Sequence, residues 1–170
     1  MGGVANRNWP LLIKIANLLP EIRFCCVASQ IDWQSKVHDK PNNVLVYFNT
    51  PFEQYYSLMR QASLILLPLV QDVSSGLINV IKAGQFRTIC LASDFEAIGQ
   101  YFSGTTRQYL LPNDPQVWAD KIRQVASYTP EQYEQAAEAF QSYIRDTFSP
   151  VATGEKLRDT IYELLGERTD

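Results

Sequence analysis

Five short apolar runs, set apart by amphipathic stretches, constrain this chain more than any other feature. They are Ile22–Ala28, Val44–Phe48, Leu64–Leu67, Thr88–Ala92 and Gln108–Leu111. Each is the length of a strand, and none shows the sustained apolar–polar alternation of a strand with one wet face. Such runs read as strands buried on both sides. The intervening stretches carry helical periodicity. Trp9–Leu19 places Trp9, Leu12, Ile13, Ala16 and Leu19 on one face, with Asn8 as cap and Pro20 as stop. Thr50-Pro51-Phe52-Glu53 has the form of a capping box and predicts a helix to about Gln61. Helices are also predicted over Gly76–Gln85 and Phe95–Phe102.

Beyond Pro112 the strand signals stop. Helices are expected over Gln116–Ser127, from a second capping box at Thr129-Pro130-Glu131-Gln132 to Thr147, and over Pro150–Leu165 with Gly166 as C-cap. The long polar stretch Ser29–Asn42 reads as a loop. Strands alternating with helices mean a Rossmann-like open parallel sheet with helices on both faces. The C-terminal helical segment is expected to pack back across the domain. At 170 residues, 46% of them hydrophobic, the chain is expected to form a single domain, 1–170.

A net charge of −3, with Lys and Arg scattered, argues against a dedicated nucleic-acid binder. No apolar stretch reaches the about 20 residues needed to cross a bilayer, and no signal peptide is recognisable. Cys25, Cys26 and Cys90 lie in apolar segments and read as reduced core residues, which points to a cytoplasmic protein. No Cys/His spacing suggests a metal site, and the one histidine, His38, sits in the polar loop.

The chemistry concentrates where Leu64–Pro68 crosses a polar loop and restarts as a helix at Ser74-Ser75-Gly76. A buried strand feeding a helix N-terminus of small residues suits an anion, because the first helical N–H groups lack internal partners. The alternative reading of Ser74-Ser75-Gly76 is an ordinary helix cap.

The order of these segments resembles the C-terminal, donor-binding domain of GT-B glycosyltransferases, in particular the large retaining group 1, or family 4, and does so over nearly the whole chain. The residues that carry the likeness are Gly2-Gly3 with Arg7-Asn8, Asn43-Val44, Gln61-Ala62, the strand ending at Pro68, Gly76-Leu77, and Ile89-Cys90-Leu91-Ala92-Ser93-Asp94. The resemblance implies a nucleotide-diphosphate sugar as donor substrate, with no metal or other cofactor. Its diphosphate would be held by Gly2, Gly3, Arg7, Ser75, Gly76, Leu77 and Ile78, and its base would pack near Phe48 and Asn49. It also implies an N-terminal acceptor-binding domain of the same protein, through which any peripheral membrane association would run.

Two glutamates eight positions apart mark that family's signature block. Here the first position falls at or beside Asp72, the candidate catalytic acid, and the second at Val80 or Ile81, which cannot accept a hydrogen bond. Ser74, Asn79 and Lys82 are the neighbouring polar candidates for ribose or sugar contact. A degenerate, non-catalytic module that binds a nucleotide or a partner subunit is therefore the second reading. In the family, the strand before the glycine loop is central in the sheet. Only Met1 precedes Gly2-Gly3 here, so the chain is expected to be a piece of a longer, two-domain protein.

Overall fold

The structure is a computed structural model that describes the backbone of residues 2–3 and all of residues 6–73 and 76–165. Among these, six strands form two three-stranded parallel sheets. The first has the order β1 (Gly2–Gly3), β2 (Phe24–Ala28), β3 (Val44–Phe48), and the second β4 (Ile65–Leu67), β5 (Cys90–Ser93), β6 (Leu110–Leu111). The β1 edge of one sheet faces the β4 edge of the other, where Arg7 and Leu69 form an isolated antiparallel bridge. Read across, the order is 3-2-1-4-5-6, that of a doubly wound α/β domain.

The connections are helical. Helix α1 (Trp9–Leu18) links β1 to β2, α3 (Phe52–Gln61) links β3 to β4, and α4 (Leu77–Gln85) links β4 to β5. The first crossover moves in the opposite direction along the sheet from the other two. Right-handed crossovers therefore put α1 on one face and α3 and α4 on the other. Helix α6 (Pro115–Ala126) packs on α1, and α7 (Pro130–Phe148) packs on α4. Gly84 makes the second contact possible: a Cβ there would lie 2.6 Å from Ile144 Cγ1.

Capping follows the sequence at α1 and α7, and at α6 the structure adds a cap that the sequence reading did not name. The Asn8 side chain accepts from Leu11 N–H, Asp114 accepts from Gln116 and Val117 N–H, and Thr129 with Gln132 completes a capping box. At α3 the expected box does not form. Pro51 is extended, with φ −58° and ψ 151°, so it becomes the N-cap and α3 starts at Phe52 without a side-chain cap. The loop expected over Ser29–Asn42 contains a short helix, α2 (Gln30–Gln34), whose Trp33 buries against Trp9. A short helix α5 (Glu96–Gly99) and a 3₁₀ turn over Gly104–Tyr109 precede β6.

The last helix, α8 (Pro150–Leu165), departs from expectation. Ser149 is extended before Pro150, which turns the chain, and no residue of α8 is buried. Leu157, Ile161 and Leu164 face outward, so α8 does not pack back across the domain. The expected C-cap Gly166 lies outside the described residues. No helix among the described residues is long and apolar enough to cross a membrane.

Candidate functional site

The loops at the C-terminal ends of β1 and β4 are stitched together. Asn8 N–H donates to Pro68 O at 2.9 Å, and Val70 N–H donates to Asn6 O at 3.2 Å. Asn6, held at φ 55°, adds a reciprocal side-chain pair: its Nδ2 donates to Gln71 O at 2.8 Å and its Oδ1 accepts from Gln71 N–H at 3.2 Å. Left-handed backbone is uncommon outside glycine, and asparagine tolerates it better than most residues. This stitch carries Arg7 across from β1 to the start of α4.

Arg7 is 3% exposed. Its guanidinium lies beneath the N-cap of α4, where a Cβ built on Gly76 would sit 3.3 Å from Nη2. Gly76 is left-handed, at φ 89°, so its backbone requires glycine, and the same Cβ would meet Leu67 Cδ1 at 2.9 Å, a contact to which the end of the leucine side chain would have to yield. Burial lowers the pKa of Arg7, partly offset by charge interactions with Tyr55, Asp32 and Cys90. An arginine so placed stays protonated. A cationic side chain and the positive end of a nine-residue helix thus converge at one point. The first-turn N–H groups of Leu77 and Ile78 have no intrahelical acceptor in any α-helix, and Ile78 is exposed.

Beside this point the Tyr55 hydroxyl donates to Asn79 Oδ1 at 2.7 Å, and burial pushes the Tyr55 pKa up to about 12. Tyr55 stays neutral and orients the buried Asn79 amide. Sequence reading singled out Asn79 but not Tyr55. The only available signal was its place on α3, because the contact depends on how α3 and α4 meet. Val80 is fully buried, as an apolar residue on the inner face of α4 must be.

Other expected site residues are placed as follows. Gly2 and Gly3 run as β1, in register with Val27 and Ala28, at the C-terminal end of β2. Phe48 ends β3 at the same edge, partly exposed, and Asn49 follows with φ 52°. Asp72 uses both carboxylate oxygens as a distant cap for α5, accepting from Glu96 N–H and Ala97 N–H at 3.0 Å each. Lys82 turns away from the α4 N-terminus, donates to Gln85 Oε1 at 2.9 Å and sits over the Tyr56 ring. Ser74 and Ser75 lie outside the described residues. In the sequence Ser93 is read only as part of the block Ile89–Asp94, and Asn113 is given no role. Ser93 Oγ accepts from Leu69 N–H and donates to Asn113 Oδ1, while Asn113 Nδ2 donates to Leu69 O, fixing the loop that leads to Gly76.

Neither a protein-family model nor a curated protein sequence matches the chain. Solved structures do. A glycosyltransferase from Rickettsia africae ESF-5 aligns with a TM-score of 0.76 at 14% identity, over 96% of this chain and 46% of that one. TarM aligns with a TM-score of 0.69 at 17% identity, over 92% of this chain and 34% of its own length. At these identities the likeness is one of fold: the chain has the fold of part of a glycosyltransferase. It spans less than half the length of either structure.

Proposed function

We propose that this chain is the donor-binding half of a GT-B glycosyltransferase, which holds a nucleotide-diphosphate sugar at the seam between β1 and β4. The observation that carries the reading is the buried Arg7 guanidinium beneath the left-handed Gly76 at the start of α4. An open α/β sheet binds ligands beyond its strand C-termini where the strand order reverses, and that is where this pair lies. Arg7 and the amides of Leu77 and Ile78 supply positive potential for the diphosphate. As the glycosidic bond breaks, charge grows on the leaving diphosphate, and fixed donors stabilise it without reorganising. The acceptor would be bound by a second, N-terminal domain of the same protein. Asp72 is assigned no chemistry, because its carboxylate is engaged at α5.

A second reading is a nucleotide-binding module without transfer activity. Two observations favour it: Val80 is buried, and the Asn79 amide oxygen is taken by Tyr55. Neither leaves an acidic acceptor on α4 for the ribose.

Calorimetric titration tests the site. A nucleoside diphosphate should bind more tightly than the free nucleoside. Arg7→Ala should weaken diphosphate binding by about tenfold or more, equivalent to ~1.4 kcal/mol. Arg7→Lys, which keeps the charge, should recover part of that loss. Gly76→Val should weaken binding with charge unchanged. Equal affinity for nucleoside and diphosphate would remove the phosphate site.

A further inference from the structure

A run of hydrogen bonds crosses from α3 to the start of α4. Tyr55, in the first turn of α3, donates its N–H to Pro51 O at 2.9 Å, at the end of the loop that follows Phe48 and Asn49. Its hydroxyl donates to Asn79 Oδ1 at 2.7 Å. Asn79 N–H then donates to Gly76 O at 2.9 Å, closing the turn that stands over Arg7. Tyr55 and Arg7 also interact electrostatically, which puts the same phenol in the surroundings of the guanidinium. One side chain therefore links the loop after β3 to the first turn of α4.

That turn needs such a link. Helices α1, α6 and α7 are capped by side chains of their own N-cap residues, whereas the N-cap of α4 is Gly76, which makes no side-chain cap bond. Val80 and Ala83 bury the inner face of α4, but apolar contact has no direction and does not set the tilt of the first turn. A bond of 2.7 Å from a phenol to a buried amide has a narrow range of length and angle, and it is stronger away from water. Amide N–H groups that meet an anion have the same narrow angular demand, so a small tilt of the turn weakens them while the fold survives.

We propose that Tyr55 is a positioning residue of the diphosphate site: acting through Asn79, its hydroxyl sets the orientation in which the Leu77 and Ile78 amides meet the anion. The inference rests on the diphosphate reading above. Tyr55 makes no contact with the ligand in it and carries no chemistry. Without the hydroxyl, Asn79 Oδ1 loses its donor and the amide is no longer held in one arrangement.

The test is a double-variant cycle on Tyr55→Phe, Asn79→Leu and the two combined, read by calorimetry with uridine diphosphate and uridine and by urea denaturation. Tyr55→Phe should weaken uridine diphosphate binding about tenfold and leave uridine binding unchanged. Asn79→Leu should do the same, and the double variant should bind no more weakly than either single one, because each removes the same link. Asn79→Ala replaces Asn79→Leu in the cycle if the leucine variant does not fold. In urea the apolar pair should regain stability lost in Tyr55→Phe, since it leaves no polar atom without a partner. Affinity that returned together with stability would overturn the proposal and make Tyr55 a packing residue only. Additive losses in the double variant would also overturn it, by showing that Tyr55 does not act through Asn79. Unchanged affinity in Tyr55→Phe, beside a full loss in Arg7→Ala, would sink this inference and leave the diphosphate reading standing. Equal binding of uridine and uridine diphosphate by the unaltered chain would remove both.

Discussion

The two half-sheets are made of similar apolar runs but are buried to different depths. Every residue of β4 and β5 is buried, whereas β2 alternates buried and half-buried positions, and β3 keeps only Val44 fully inside. Strand sequence does not explain the contrast, since Val-Leu-Val-Tyr-Phe is as apolar as Cys-Leu-Ala-Ser. Position explains it. β5 is flanked by β4 and β6 and covered by α4, which α7 covers in turn; among the described residues β3 is an edge strand, and the inner edge of β2 borders an apolar groove that it lines with Ser63 to Leu66. Both halves share one hydrophobic core, to which the first contributes mainly through α1 (Trp9, Leu12, Ile15) with Cys26 and Val44, and the second through its strands themselves.

The largest effect should come from the deep half. Leu91, fully buried at the centre of β5, should cost about 2–5 kcal/mol on Leu91→Ala, measured by urea denaturation. A loss below ~1 kcal/mol would show that the second sheet is not the main core. Next comes Gly84→Ala. Its new methyl group would meet Ile144 at 2.6 Å and should destabilise by about 1–3 kcal/mol through overpacking of α4 on α7. Recovery in the double variant Gly84→Ala with Ile144→Val would assign the loss to that contact.

In the shallow half, Asn43 Nδ2 sits within 3.0 Å of the carbonyls of Ala16, Leu19 and Ile22, tying the end of α1 to the start of β3. Asn43→Ala should cost about 1–2 kcal/mol and speed hydrogen exchange in β2 and β3 more than in β5. Uniform acceleration across both sheets would break the division into halves. The smallest effect belongs to Leu45, which is 50% exposed on β3. Leu45→Ala should shift stability by no more than ~0.5 kcal/mol, despite being the same chemical change as Leu91→Ala.

Much of this was legible in the chain. Asn8 and Thr129 cap their helices as read, because capping is local, between residues three positions apart. The strand Val44–Phe48 was legible as a continuous apolar run, and the helix ending at Gln61 was expected and is present. The capping box at Thr50 could not, because Pro51 suited either helix or extended backbone and its neighbours chose the second. In the short helix Gln30–Gln34, Trp33 is held by an edge-on contact with Trp9, and the Trp9 indole N–H donates to Asp32. No local pattern announces such a contact.

By itself, the sequence determined the alternation of strands and helices and the parallel sheet that buried apolar runs require, while Arg7 was marked out only through the family resemblance and Gly76 through its place at a helix start. The first two depend on local apolar patterning. Only the tertiary structure decided that Arg7 lies beneath Gly76, that Tyr55 takes the Asn79 amide oxygen, that Asp72 is engaged at α5, and that α8 stays exposed. Those outcomes join residues 24 to 69 positions apart or turn on a single bend before Pro150. Such contacts are set by how whole helices cross the sheet, which no short window of sequence encodes.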